Sequence, residues 1–182
     1  MNNVYHFTDF ARLPWIIESD ELRPGRNKIG DFPDPDFLWA TTNNRGSRTA
    51  SAWQQTALEW ELPLVRLTLD ATDFEAWRVV VARYPAWTPD QIRRLEVSGL
   101  QIKDDPRTWR CRVEPLPLSR VARFEARTRN TPWRPLSEPI KLSKVDETTL
   151  WLVHGSFVYS SKRFNSPGEP TEYEVDRGEI LA

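Results

Sequence analysis

The sequence predicts an α+β fold that combines several short strands with helices gathered in the first half of the chain. Three observations lead to this prediction. The length of 182 residues suits one globular domain. Short segments that alternate apolar with polar residues occur along the whole chain, as expected for strands. Helical spacing and helix-capping residues are concentrated before the arginine-rich middle of the sequence, and no internal repeat is present.

Strands and helices alternate at the start of the chain. Residues 4–8 alternate aromatic or branched side chains with smaller polar ones, which is typical of a strand. Asp9 can then cap a helix over 10–19, in which Pro14 lies near the first turn, where a missing N–H matters least. The next predicted elements are a loop over 20–36, a strand over 37–42, a helix over 47–58 and a strand over 64–69.

The second half begins with an ambiguous segment over 73–84, which contains both helical spacing and a β-branched run. Thr88, Pro89 and Asp90 form a helix-start signal, which predicts a helix over 89–97 closed by Gly99. The remaining predicted strands are 109–114, 121–127, 150–153, 157–160 and 172–175. We therefore divide the chain into a core (1–129), a proline-rich excursion (130–148) and C-terminal strands (149–182), which either complete the core sheet or form an attached hairpin.

Composition excludes several classes of site. The single cysteine, Cys111, excludes an intramolecular disulfide and any multi-cysteine zinc site, and two histidines exclude a histidine-rich metal centre. No apolar run approaches the roughly 20 residues of a membrane span, and the N-terminus lacks the pattern of a signal peptide. We expect a cytoplasmic protein with no metal ion and no membrane partner.

Positive charge is concentrated in the middle of a chain whose formal net charge is −1. The arginines of this region are Arg107, Arg110, Arg112, Arg120, Arg123, Arg127, Arg129 and Arg134. They are interleaved with Trp109, Phe124 and Trp133, a mixture that can hold phosphates while the rings stack on exposed bases. The same arginines could contact a diphosphate, or be an ordinary strand face with its charges in solvent.

His6, in the middle of the first predicted strand, is the first candidate functional residue. A neutral imidazole held by a neighbour can hydrogen-bond a ligand hydroxyl. The order Tyr5-His6-Phe7-Thr8, a helix with Leu13-Pro14, and then Leu22-x-Pro24 resembles the opening of ADP-ribosyltransferase-fold proteins. DNA-targeting ADP-ribosylating toxins and tRNA 2′-phosphotransferases begin in a similar way. The resemblance implies that His6 binds a ribose hydroxyl of the adenosine half of NAD. It also implies an ADP-ribosyltransferase-like fold, with a split, antiparallel-rich sheet core and flanking helices.

A second motif runs from Leu38-Trp39-Ala40-Thr41-Thr42 through a glycine-containing turn to Ser47 and Trp53. Two aromatic residues placed in this way can clamp a flat ring, while hydroxyls reach its polar substituent. The alternative is that both tryptophans are core. The motif is similar to the nicotinamide-stacking block of poly(ADP-ribose) polymerase-like proteins. The cofactor-binding residues that the resemblance implies are His6, Thr8, Trp39, Thr41, Ser47 and Trp53.

The resemblance also implies a catalytic acid on a late strand, with two candidates. Glu172 lies in Thr-Glu-Tyr-Glu-Val, which is similar to the last strand of the polymerase-like domains. Glu114 ends the strand over 109–114, before a proline-led turn. In the toxins the glutamate stands at the start of that strand, where this chain has Trp109. His6, Glu114 and Glu172 are thus the predicted catalytic residues.

Three hypotheses follow. The first is an NAD-dependent mono-ADP-ribosyltransferase that modifies a macromolecular acceptor, either nucleic acid, which suits the arginines, or protein. The second is the same fold kept as a binding module with a degenerate acid position. The third is a nucleic-acid-binding regulator that uses the arginine and tryptophan surface alone.

Overall fold

The computed structural model describes residues 2–25, 32–46, 62–128, 130–136, 140–154, 157–164 and 172–179, the last range by its backbone. It shows a mixed α+β protein built mostly from antiparallel strands, which confirms the predicted class at this level. The helices are α1 (Leu13–Ser19), α2 (Trp77–Val81) and α3 (Pro89–Gln101). The strands are β1 (Asn3–Asp9), β2 (Glu21–Leu22), β3 (Leu38–Thr41), β4 (Leu64–Asp70), β5 (Glu75–Ala76), β6 (Trp109–Arg112), β7 (Leu116–Pro117), β8 (Arg123–Arg127), β9 (Arg134–Pro135), β10 (Lys141–Lys144), β11 (Thr149–His154), β12 (Phe157–Phe164) and β13 (Glu172–Glu179).

A seven-stranded sheet carries β1 at its centre, in the order β5-β6-β3-β1-β4-β8-β9, and every neighbouring pair in it is antiparallel. β1 pairs with β4 over its whole length, with His6 opposite Leu67, but with β3 only at Tyr5 and Thr41. Because side chains alternate between faces along a strand, this register gives each face of the sheet a fixed set of residues.

The first face of the sheet, the side of Val4 and Leu67, packs against α1 and the two-stranded ribbon of β2 and β7. The side chains of Phe10 and Leu13 are fully buried in this cluster. Asp9 accepts hydrogen bonds from the backbone N–H groups of Ala11 and Arg12 (both 3.0 Å), so it caps a turn and the helix begins only at Leu13. The cap was predicted; the extra turn before the helix was not.

The second face, near β3 and β6, is covered by an aromatic cluster with α2 and α3. Thr88 caps the start of α3, as the sequence predicts, and it forms a reciprocal capping box with Gln91. The prediction that Gly99 closes this helix is wrong, because the helix continues to Gln101. A Cβ at position 99 would lie 2.5 Å from the Trp109 ring, so glycine is required there for close helix–strand contact.

The C-terminal strands form a separate four-stranded antiparallel sheet in the order β10-β11-β12-β13. It packs on the segment around α1: the Ser161 hydroxyl donates to the carbonyl of Ala11 (2.5 Å) and accepts from Trp15 Nε1 (2.9 Å). Leu152 and Tyr159 join the core of the first face, so the two sheets share one hydrophobic cluster.

Other predictions differ in extent. The ambiguous segment over 73–84 contains β5 followed by α2, and the excursion over 130–148 contains β9 and β10. The helix predicted over 47–58 lies outside the described residues. None of the helices in the described ranges is long and apolar enough to cross a bilayer.

Candidate functional site

His6 is held in one tautomer by the strand beside it. Its Nδ1 lies 2.7 Å from the backbone carbonyl oxygen of Trp39. A carbonyl can only accept, so Nδ1 carries the proton and Nε2 is left as an acceptor. Burial lowers the pKa of His6; the Trp39 carbonyl opposes that shift, and the charge of Arg12 adds to it. The imidazole is therefore neutral at pH 7.

Thr8 lies two residues further along β1 and therefore on the same face as His6. Thr8 is 5% exposed, and its buried hydroxyl oxygen has no hydrogen-bond partner among the residues that the structure describes. Buried hydroxyls are normally satisfied, so an unpaired one next to an imidazole acceptor is a sign of a ligand-binding position. Of the predicted site residues, His6 and Thr8 are the pair that the structure brings together.

Trp39 and Thr41 lie on the opposite face of the sheet, because Thr41 pairs directly with Tyr5. The Trp39 ring packs on Trp77, with 5.0 Å between centroids, inside the aromatic cluster. The Thr41 hydroxyl donates to that of Thr108 (3.1 Å) and accepts from the backbone N–H of Asn43 (3.1 Å). The Trp39 side chain thus packs in the core and the Thr41 side chain stabilises a turn, whereas the Trp39 carbonyl accepts from His6.

The other half of the predicted ring clamp, Trp53 together with Ser47, lies outside the described residues.

Arg110 is on the His6 face of the sheet, across the small side chain of Ala40. Two strand spacings separate its backbone from that of His6, which corresponds to about 10 Å. Its Nη1 donates to the backbone carbonyls of Arg107 (3.0 Å) and Trp109 (2.8 Å), leaving other guanidinium N–H groups for a ligand. The sequence predicted an arginine-rich region, but the position of this arginine opposite His6 depends on strand order.

Neither predicted acid lies beside His6. Glu114 is exposed, two residues beyond the end of β6, and its backbone carbonyl accepts from Arg112 Nε (2.8 Å). It follows a bend at residues 113–114 and is not part of the strand register that carries Arg110. Glu172 begins β13, the outer strand of the other sheet, where it pairs with Phe164.

Asp36 is a partly buried acid that sequence analysis did not single out. It precedes β3 and lines a narrow groove with Phe32, Trp87 and Leu95. Burial raises its pKa to about 6, although the backbone N–H of Phe37 (2.7 Å) and the Trp39 side chain donate to it. The sequence gives no sign that this carboxyl group is partly buried, because it lies in a loop rich in proline and aspartate. Its burial depends on α3, which is distant in sequence and lines the groove through Leu95.

The arginine-rich region is not one continuous surface. Arg107 pairs with Asp105 and Arg120 with Asp73, so both arginines already have a carboxylate partner. The Cys111 thiol is buried in the aromatic cluster, and burial raises its pKa to about 12. Among the described residues, no group of three or more histidine, cysteine or acidic side chains is arranged to hold a metal ion.

Comparison with known proteins adds no relative: no family model, no curated protein and no solved structure matches this chain. The assignment of a function therefore depends on the geometry of the site and on the sequence motifs.

Proposed function

We propose that the protein binds NAD on the His6 face of the central sheet and acts as an NAD-dependent mono-ADP-ribosyltransferase with a macromolecular acceptor. The observation that carries the proposal is the fixed tautomer of His6, whose Nε2 is an acceptor for a ribose hydroxyl. The motif around His6 resembles the opening of ADP-ribosyltransferase-fold proteins.

Two neighbours of His6 support the same ligand. The unpartnered Thr8 hydroxyl supplies a second polar atom for the ribose. Arg110, about 10 Å across the sheet, suits the diphosphate, because a guanidinium presents paired donors to phosphate oxygens. Trp39 would act through its carbonyl rather than by stacking on nicotinamide.

In the proposed reaction, the bond between the anomeric carbon and the nicotinamide nitrogen breaks, and nicotinamide leaves with the bonding electrons. A nucleophilic atom of the acceptor forms a bond to the same carbon and loses its proton. An acid of the chain would stabilise the positive charge that develops on the ribose ring.

A second candidate is a binding module that holds NAD without turning it over. The observation that favours it is that neither predicted acid shares a strand with His6: Glu114 is exposed beyond the end of β6, and Glu172 belongs to the other sheet.

The deciding experiment is NAD binding and nicotinamide release by the purified protein, with and without DNA, RNA and cell lysate. We expect NAD to raise the Tm of the wild type, and His6→Ala to weaken binding by about tenfold, the value of one hydrogen bond. The matched control is His154→Ala, since the other histidine lies in β11, with its ring edge-on to Phe10.

Variants of the two acids distinguish the candidates. Release that disappears in Glu172→Gln or Glu114→Gln, with binding retained, identifies the enzyme and its acid. Binding without release under every condition identifies the binding module. No Tm shift with NAD, or an equal shift in His6→Ala, rules out both.

A further inference from the structure

The second face of the central sheet holds a partly buried group of two arginines and one carboxylate on β4 and β8. Arg66 lies directly opposite Glu125, and its Nε (3.0 Å) and Nη2 (2.8 Å) both donate to Glu125 Oε2. The two side chains are 13% and 8% exposed. Nη1 of Arg66 donates to the carbonyl of Asn44 (2.6 Å). The Glu125 carboxylate is thus engaged by Arg66 and is not shared with another cation, although the charge of Arg66 still acts on its neighbour Arg127.

Arg127 is the cation left over. Its guanidinium lies 4.7 Å from the centre of the Trp133 ring, and the Arg66 guanidinium lies at the same distance from that ring. Its Nε is buried and makes no hydrogen bond, and no carboxylate pairs with it in the part of the chain that the structure describes. Burial lowers the pKa of Arg127, and the nearby charge of Arg66 lowers it further.

An arrangement of this kind is costly without an anion. A partly desolvated guanidinium beside a like charge loses hydration and gains no Coulombic compensation. The cation–π contact with Trp133 offsets part of this desolvation cost. The contact also holds the Arg127 guanidinium in place while using none of its N–H donors. A planar, pre-positioned set of N–H donors with excess positive charge matches the oxygens of a phosphate group.

We propose that Arg127, with Trp133 as its platform and Arg66 as a second source of positive charge, forms a phosphate-binding site. The phosphate would accept from the free N–H groups of Arg127, and its charge would offset the repulsion between the two guanidiniums. Arg123 lies on the same face of β8, roughly 13 Å along the strand, so the positive charge continues in that direction.

This site is separate from the proposed NAD site. Arg127 and Tyr5 lie on one face of the sheet, and His6 lies on the other. The source of the phosphate is either a small phosphorylated molecule or the backbone of a nucleic acid, since both present the same oxygens.

The test is titration calorimetry of the full chain with inorganic phosphate, with a short single-stranded oligonucleotide, and with acetate as a carboxylate control. We expect one phosphate-competent site in the wild type and at least a tenfold loss of affinity in Arg127→Gln, equivalent to one charged hydrogen bond. Arg134→Gln is the matched control, because Arg134 is exposed on the opposite face of the sheet. Binding of free phosphate identifies the small-molecule source, whereas binding of the oligonucleotide alone identifies nucleic acid.

Circular dichroism checks that each variant folds. Arg127→Lys is a second variant, which keeps the charge but loses the planar guanidinium group. We expect the lysine variant to fold and to bind phosphate more weakly than the wild type. His6→Ala should leave phosphate binding unchanged, which separates this site from NAD binding. Equal binding by Arg127→Gln and the wild type, equal binding of acetate and phosphate, or no binding of either phosphate probe would each overturn the proposal.

Discussion

Two titratable side chains near β3, His6 and Asp36, are both shifted by burial toward their uncharged forms. Burial lowers the pKa of His6 and raises that of Asp36 to about 6. The consequences for stability have opposite signs. Because the pKa of His6 is lower in the folded protein, the unfolded chain takes up the proton more readily. The folded protein therefore loses stability as the pH falls below the unfolded pKa near 6.5.

Asp36 behaves in the opposite way. Its folded pKa lies above the unfolded value of 3.8. Its contribution to the stability of the folded protein is therefore complete below pH 3.8 and is lost as the pH rises toward 6. Asp36→Asn removes the charge permanently. We expect this variant to be more stable than the wild type by about 1–2 kcal/mol at pH 7.5, allowing for partial solvent exposure, and equally stable near pH 4.

Urea denaturation at the two pH values measures this difference. Asp70→Asn is the control, because hydrogen bonds from Thr72 lower the pKa of Asp70 and removing that carboxylate should destabilise the protein at pH 7.5. A Asp36→Asn variant that is less stable than the wild type at pH 7.5 would contradict the predicted sign.

The contact between α3 and β6 depends on one glycine. The backbone of Gly99 approaches the Trp109 ring so closely that a methyl group would lie 2.5 Å from Cζ2 and 2.9 Å from Cη2. Alanine would raise helix propensity by about 1 kcal/mol, but the steric clash in a packed core costs about 1–3 kcal/mol. We expect Gly99→Ala to lower the free energy of unfolding.

Ser98→Ala is the matched control for this prediction. Ser98 is exposed one residue earlier in the same helix, so alanine there changes propensity without changing the contact with Trp109. Chemical denaturation of both variants, followed by circular dichroism, gives the comparison. If Gly99→Ala is as stable as Ser98→Ala, then the Trp109 ring moves to make room for the methyl group, and the contact does not require glycine.

Element types were largely predictable, because alternation and capping are local signals. β1, β4 and α3 occur close to where alternation and the Thr88 capping signal place them. The end of α3 was not predictable, since Gly99 is a typical helix terminator in sequence and is here a site of helix–strand contact. That role depends on Trp109, which only the folded chain brings to it.

The candidate site was predictable only in part. His6 and Thr8 share a face because they are two residues apart on one strand, and this follows from sequence alone. The opposite orientation of Trp39 follows from the pairing of Tyr5 with Thr41, which no local pattern specifies. Arg127 was not predictable for the same reason. That none of the described carboxylates pairs with it is visible only once Glu125 is seen to pair with Arg66.

At the scale of the whole molecule, the two sheets meet at the segment around α1, where Ser161 adds two buried hydrogen bonds to their shared hydrophobic cluster. Ser161 satisfies the carbonyl of Ala11 and the indole N–H of Trp15, and all three groups are buried. Ser161→Ala would leave both partners unsatisfied. Each unsatisfied buried group costs about 1–3 kcal/mol, so we expect a loss of about 2–4 kcal/mol in the free energy of unfolding.

The control is Ser160→Ala, which changes a neighbouring serine on the other face of β12. Denaturation curves from tryptophan fluorescence and circular dichroism should stay coincident in both variants, because the sheets share one core. A loss no larger than that of Ser160→Ala would show that the serine does not hold the sheets together.

The central position of β1 also determines the order in which the chain can be assembled. β1 is synthesised first, yet its main partner, β4, follows about 60 positions later, and β6 completes its side of the sheet later still. Contacts of such long sequence separation slow folding, because loop-closure entropy is lost before the contacts form. During translation the first strand therefore stays without its main partner until β4 has left the ribosome. The C-terminal sheet pairs neighbouring strands throughout, so it can form quickly once its own residues emerge.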